Sequence, residues 1–350
     1  MTTDQAPAPV STPISTPRSF APLQAAVREA GLLRPRTGYY AVKFLTNTVL
    51  MAAAWGLFWW LGDSWWQLAS AVLLAFAYGQ TGLLGHDVGH AQVTRNRRAM
   101  TVLGLIHGNL LLGFSYGWWM NHHTRHHNHP NHLDHDPDIL RRVVAFSPRQ
   151  AQGVSALRAV VIRHQAPLFF PLLNLEGIGL RVGSMIAIRR GIVRHPRIES
   201  FLLAVHAVVY AVVVFSLLSP LLAVAFIALH QGLFGVYLGC VFAPNHKGMP
   251  VRDGEAEPDW LSRQVLTSRN IRSSLFHDFF YGGLNYQIEH HLFPTVPRPN
   301  LRKCRPLTMA HCAAQGLTYY EVSATRSYIE VLAHLREVTE QVREGTSRTV

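Results

Sequence analysis

Charge is scarce in this sequence. Asp, Glu, Lys and Arg make up 15% of its 350 residues, whereas hydrophobic residues reach 49%. An ordinary soluble domain is about one quarter charged, so the balance argues for a membrane. Acids are fewer than bases, 20 against 32, for a formal net charge of +12. The Lys and Arg form no single stripe and accompany no binding motif, so no nucleic acid is expected as a partner. Attraction to an anionic leaflet fits the charge better. Cysteine is nearly missing: Cys240, Cys304 and Cys312 make no Cys-x-x-Cys pair. That excludes a disulfide framework and fits reduced thiols on a cytoplasmic face. The zinc-hydrolase signatures are missing too. There is no HExxH, and Tyr286 stands where an HxxEH word ending at Glu289-His290 would need its first histidine.

What the chain does contain is long apolar runs. Four of them, near 42–61, 67–84, 201–218 and 221–242, are long enough to span a bilayer. They pair into two hairpins through short turns at Gly62-Asp63-Ser64 and Ser219-Pro220. Trp59, Trp60, Trp65 and Trp66 flank the first turn as an interfacial belt would. The stretches 100–119 and 167–185 are apolar but broken by polar residues, and read as interfacial or re-entrant segments. An interfacial helix is expected near 22–33 and a helix over 321–342. Residues 1–20, rich in Pro, Ser, Thr and Ala, read as a disordered tail. Every Lys and Arg falls before Phe44, between Arg95 and Arg197, or from Lys247 onward. The positive-inside rule then makes 86–198, 246–350 and both termini cytoplasmic. The expected fold is all-α: an integral membrane domain over 21–350, with four transmembrane helices in two hairpins. Interfacial helices and a cytoplasmic helical cap complete it.

Histidines organise the rest. His86-Asp87-Val88-Gly89-His90, His122-His123-Thr124-Arg125-His126-His127 and Gln287-Ile288-Glu289-His290-His291 carry imidazoles three or four residues apart, on common helix faces. His246 closes the second hairpin at the depth where His90 closes the first. The topology puts all of them on one side of the membrane, although the histidines played no part in deriving it. Three sets offer more nitrogen donors than one tetrahedral metal uses, which points to a two-metal, nitrogen-rich centre. His122 competes with His123 for a place in it. Asp87, Asp134, Asp136, Asp138 and Glu289 are candidates to orient the imidazoles. His206 and His230 lie inside spans, where a polar group must be packed and hydrogen-bonded. A nitrogen-rich iron pair at this depth suits O2 activation against an unactivated C–H bond. Acyl desaturation and lipid or hydrocarbon hydroxylation are the two enzymatic readings; a membrane metal transporter is a third, disfavoured because the spans hold no acids.

At this point the sequence resembles the membrane fatty acid desaturases. HDVGH, HTRHH and QIEHH stand in that family's order, with Trp118-Trp119 ahead of the second box and Pro130-Asn131 after it. Gly282-Gly283-Leu284-Asn285 precedes the third, and the likeness covers roughly residues 40–315. The resemblance implies a cis double bond made in an acyl chain with O2, two electrons and two iron ions. Its ligands would be His86, His90, His123, His126, His127, His246, His290 and His291, with Gln287 as a ninth group. The opening Gln of the third box is similar to the front-end branch, many of whose members carry a cytochrome b5 domain with a His-Pro-Gly-Gly word. That word is absent here, so a separate carrier and its reductase are expected. A ferredoxin-, rubredoxin- or cytochrome b5-like protein would serve, and a bacterial-type inner membrane is the expected setting.

Overall fold

The computed structural model describes residues 18–140, 143–254 and 258–347. Its helices, in chain order, are α1 (Ala21–Glu29), α2 (Thr37–Leu61), α3 (Gln67–Gly89), α4 (Arg97–Gly104), α5 (Tyr116–Asn128), α6 (Ala156–Arg163), α7 (Gln165–Leu173) and α8 (Glu176–Arg189). There follow α9 (Pro196–Leu217), α10 (Pro220–His246), α11 (Trp260–Leu266), α12 (Leu275–Phe280), α13 (Gln287–Leu292), α14 (Arg298–Ala314) and α15 (Ala324–Ser347). Four of them, α2, α3, α9 and α10, are long and apolar enough to cross a membrane. Strand is confined, among the described residues, to a parallel pair of two-residue strands, Asn270–Ile271 with Glu321–Val322, and a bridge from His132 to Arg252.

The spans run past the expected limits at their histidine-bearing ends. The apolar stretches stop near 84 and 242, but backbone hydrogen bonding continues, and α3 carries His86 while α10 ends at His246. The two hairpin turns lie together. Gln67, fully buried, donates to Phe58 O (2.6 Å) and Gly62 O (2.8 Å), satisfying carbonyls that the end of α2 would leave open. Asp63 Oδ1 accepts from Ser219 N at 2.9 Å, joining one turn to the other. Trp60 and Trp66 around the first turn are 80% and 73% exposed.

α3 and α10 form the central pair, with α2 on the outer side of α3. Gly79 makes the close approach possible, because a Cβ there would collide with the Tyr237 ring. α9 leans instead on a re-entrant segment. From α4 the chain winds into a π-helical stretch, Leu105–Leu112, reverses at Gly113 (φ +74°) and leaves as α5, the two arms bent by 109°. Carbonyls at such a reversal need donors where water is excluded. His206, halfway along α9, supplies one to Leu110 O (2.9 Å), and Arg181 another to Leu112 O (3.0 Å). The two histidines expected to be packed inside the spans are packed: His206 is bonded as above, and His230 is bonded through Nδ1, 2.7 Å from Tyr210 OH and tying α9 to α10, while its buried Nε2 has no partner.

The cap gathers α1, α11, α13, α14 and α15 over one end of the spans. The segment expected to be an interfacial helix near 22–33 is a cap helix: Leu23 and Val27 of α1 are buried with Leu292, Phe293 and Leu301. Its apolar face is buried against α13 and α14. Of the expected tail, residues 1–17 lie outside the described residues. Arg18 donates to Gln315 O (3.0 Å), and the Phe20 ring packs on Trp260 (4.7 Å) and Phe293 (5.1 Å). The C-terminal helix begins at Ala324 rather than Glu321, because Glu321 and Val322 are held in the strand pair.

Candidate metal centre

Four helix ends meet beneath the cap. α3 brings His86 and, at its C-cap, His90; α5 brings His123, His126 and His127; α10 ends on His246; α13 carries Gln287, His290 and His291. Their ring nitrogens form two groups. His86, His90, His123 and His290 offer nitrogens within 4.8 Å of one another, and so do His126, His246 and His291. His127 stands between the groups. Its Nε2 lies 3.1 Å from Nε2 of both His123 and His290, and its ring stacks on His291 at 4.3 Å. Gln287 borders the second group, with Nε2 2.9 Å from His246 Nε2 and Oε1 accepting from Asn245. His122 is turned away, its Nε2 2.7 Å from Asp138 Oδ1.

The donors fit a metal pair. Two nitrogens bound to one ion at about 2.0–2.1 Å lie about 2.8–3.4 Å apart between octahedral and tetrahedral angles. His126 and His246 meet at 3.2 Å through Nε2 and His123 and His127 at 3.1 Å, within that range, while His90 and His123 stand slightly closer, at 2.7 Å. His86 Nε2 and His291 Nε2 are buried with no hydrogen-bond partner. Lone pairs facing one another in a dry site are costly unless a cation is shared between them.

Protonation favours ligation. Burial, reinforced by neighbouring imidazoles, holds His90, His123, His127, His290 and His291 well below the usual imidazole range, so they are neutral donors. His126 goes the other way. Burial would lower it, but the Asp136 and Asp138 carboxylates outweigh burial and raise it.

The far nitrogens of the second group are all anchored. His126 Nδ1 donates to both Asp136 oxygens (3.0 Å each), His246 Nδ1 to Thr267 O (2.9 Å) and His291 Nδ1 to Gln264 Oε1 (2.8 Å). Each bond fixes the tautomer and leaves Nε2 toward the group. Of the five acids proposed to orient the ligating histidines, Asp136 hydrogen-bonds one of them, His126, whereas Asp138 bonds His122 and stands 3.5 Å from His126 Nδ1. Asp87 Oδ1 lies 3.7 Å from His86 Nδ1, and its other oxygen is 2.7 Å from Arg298 Nη2. Asp134 pairs with Arg149, and Glu289 with Asn270 and Tyr319. Thr267, Gln264 and Arg298 could not be foreseen, because nothing in their local sequence ties them to a distant histidine. Asn131 left a fainter signal in Pro130-Asn131. It takes a left-handed φ of +56°, and its side chain donates to His246 O at 3.0 Å.

Glu199 was equally invisible. Buried at the start of α9, its carboxylate accepts from Ser115 Oγ, from Gly117 N (3.2 Å) and from Asn109 Nδ2 (3.3 Å). Ser115 Oγ in turn caps α5 through Trp118 N. A carboxylate therefore sits at the positive end of the helix that carries the second histidine set.

A sequence model described as "Fatty acid desaturase" matches residues 63–323, three quarters of the chain. The chain belongs to the fatty acid desaturase family. It is 33% identical to an "Acyl-lipid (9-3)-desaturase" of Physcomitrium patens, covering 95% of this chain and 65% of that protein. It is 32% identical to "Delta(6)-fatty-acid desaturase fat-3" of Caenorhabditis elegans, covering 93% and 76%, and 29% identical to "Delta(8)-fatty-acid desaturase 2" of Arabidopsis thaliana, covering 81% and 66%. The chain thus spans about two thirds of the length of two of these relatives and three quarters of the third. All three organisms are eukaryotes, which gives no support to a bacterial-type inner membrane. With four apolar helices in a desaturase-family fold, this is an integral membrane protein.

Proposed function

We propose that this chain is an O2-dependent acyl desaturase that introduces a cis double bond into a lipid- or thioester-linked fatty acyl chain at a pair of iron ions. The observation that carries the reading is the gathering of seven imidazoles into two adjoining nitrogen groups, with an eighth, His127, between them, within a desaturase-family fold. His86, His90, His123 and His290 are assigned to one ion and His126, His246 and His291 to the other, with His127 between them and Gln287 as the ninth group. A bound iron pair would supply, with O2, two electrons and two protons, the power to take one hydrogen from each of two neighbouring carbons, leaving a double bond and two waters. The chain's own residues hold the geometry and keep water out. Asp136, Thr267 O and Gln264 aim the second group, Trp119 stacks on His123 at 4.6 Å, and His290 and His291 are 1% and 2% exposed.

We assign the centre and both termini to the cytoplasmic side, because Lys and Arg are absent from 44–94 and 198–246, which hold both hairpin turns. A separate ferredoxin-, rubredoxin- or cytochrome b5-like carrier with its reductase is proposed to deliver the electrons. The chain's excess of base would steer an acidic carrier by rate more than by affinity. A donor-reduction rate indifferent to salt would count against that partner.

The deciding test is the fatty-acid profile of a host expressing the chain with a candidate donor, read by gas chromatography with derivatives that locate double bonds and reveal hydroxyls. A new unsaturated acid that disappears with His126→Ala is the expected result. A hydroxy acid in its place would overturn desaturation in favour of hydroxylation. Purified protein that binds no iron would overturn the iron pair.

A further inference from the structure

Helix α12 turns its apolar side chains outward. Leu275 is 83% exposed, Phe276 65% and Phe279 44%. So much apolar surface on one short helix marks a contact with something apolar. The opposite face is polar and tied to the centre. Asp278 accepts from Asn285 Nδ2 (2.8 Å) and from Tyr286 OH (3.1 Å), directly ahead of Gln287. Between these anchors the chain turns through two left-handed glycines, Gly282 (φ +59°) and Gly283 (φ +82°).

The depth of α12 identifies what it touches. Phe279 packs on Phe76 of α3 (6.0 Å between rings), and Tyr237 of α10 donates to Phe280 O at 2.8 Å. Tyr237 also accepts from Gln80 Nε2 at 2.6 Å. Phe76 and Gln80 precede His86 by ten and six residues, which at 1.5 Å per residue sets them about 15 and 9 Å farther into the span. The helix therefore lies below the level of the histidines, beside the spans rather than on top of them. The spans beside it also turn apolar side chains outward: Val42, Leu45 and Val49 of α2 are 59%, 63% and 59% exposed and Val72 of α3 is 49% exposed. Lys43 Nζ stands 5.2 Å over the Phe279 ring, the posture of a cation whose stem crosses apolar surface toward the headgroups.

We infer that α12 is immersed in the hydrocarbon of the leaflet next to the metal centre, and that contact with lipid acyl chains seats the third histidine set. The bilayer holds Leu275, Phe276 and Phe279. Asp278 passes that hold to Asn285 and Tyr286, and through them to Gln287, His290 and His291.

The test uses the full chain in phospholipid nanodiscs. A nitroxide is placed at Phe276→Cys, with Val209→Cys on α9 as the lipid-facing standard and Arg125→Cys on α5 as the aqueous one. The chain without an introduced cysteine, labelled in parallel, corrects for the native thiols. Power saturation is expected to make position 276 accessible to oxygen and shielded from a water-soluble nickel chelate, as at 209. Accessibility like that of position 125 would overturn the immersion. For the coupling, Leu275→Ser with Phe276→Ser is expected to lower bound iron per chain while the protein stays in the membrane fraction. Iron content equal to that of the unmodified chain would overturn the seating role. The accessibility measurement is independent of the proposed function; the iron measurement rests on the proposed iron pair, and an unmodified chain that binds no iron would overturn that pair, whereas iron retained equally by both proteins would overturn the seating alone.

Discussion

An imidazole becomes a dependable ligand when its other nitrogen is held. His126, His246 and His291 each meet that condition through a different acceptor: a carboxylate, a backbone carbonyl and a side-chain amide oxygen. Asp136→Asn keeps the shape of the site but weakens the anchor on His126, so metal affinity is expected to fall about 10- to 100-fold; metal content after graded chelation measures it. His126→Ala and His291→Ala should abolish the new fatty acid while leaving the protein in the membrane fraction, since neither residue lies within a span. His311→Ala should be nearly silent in the same assay, because His311, half-buried on α14 and remote from the centre, hydrogen-bonds Ser19 O (2.9 Å). Among the acids, chemistry alone could not separate Asp136 from Asp134. They are two residues apart, yet Asp136 is fully buried under His126 while Asp134 reaches outward to Arg149.

Whole helices are positioned by groups remote from the histidines. Glu199 gathers Ser115, Asn109 and the start of α5. In Glu199→Ala these buried donors lose their acceptor, at a cost of about 1–3 kcal/mol for each one left unsatisfied. A lower midpoint of thermal unfolding is expected, with Glu199→Gln recovering part of it through its remaining oxygen. Helix α15 is fastened by Glu330, which accepts from Tyr320 OH (2.7 Å) and Arg326 Nε (2.7 Å) and pairs with Arg269. Burial would raise this carboxyl, but the bonds from Tyr320 and Arg326 and the charge of Arg269 outweigh burial and depress it. A depressed carboxyl stabilises the fold above its ordinary value, about 4.3, and that contribution is lost as pH falls through the lowered one. Proteolysis at the C-terminal helix should therefore quicken in acid, and Glu330→Gln should flatten that pH dependence.

At the scale of the molecule, two hairpins place all the ligand-bearing helix ends on one side. The hydrogen bond from Ser219 N to Asp63 fixes both turns together on the other. Ser219→Cys and Arg125→Cys should consequently label from opposite sides of sealed vesicles with a membrane-impermeant maleimide. Labelling of both from one side would break the topology. The re-entrant segment gives the fold its asymmetry. It separates α9 from α3, and its freed carbonyls account for a histidine and an arginine among apolar surroundings.

The sequence by itself determined the spans, their pairing and the histidine sets, because each rests on a local rule. Apolar run length sets a crossing, helical spacing sets a common face, and basic residues choose a side. The bend at Gly113 was foreshadowed by an apolar stretch broken with His107, Asn109 and glycines. Only the tertiary structure decided between His122 and His123, since a one-residue rotation exchanges them and the packing of Trp119 on His123 selects the second. It alone decided that the apolar face of α1 packs against α13 and α14, and that Asp136, Thr267, Gln264 and Glu199 support the centre. Those contacts join residues up to 90 positions apart (Asn109 to Glu199), and no periodicity within either segment encodes which distant group its partner will be.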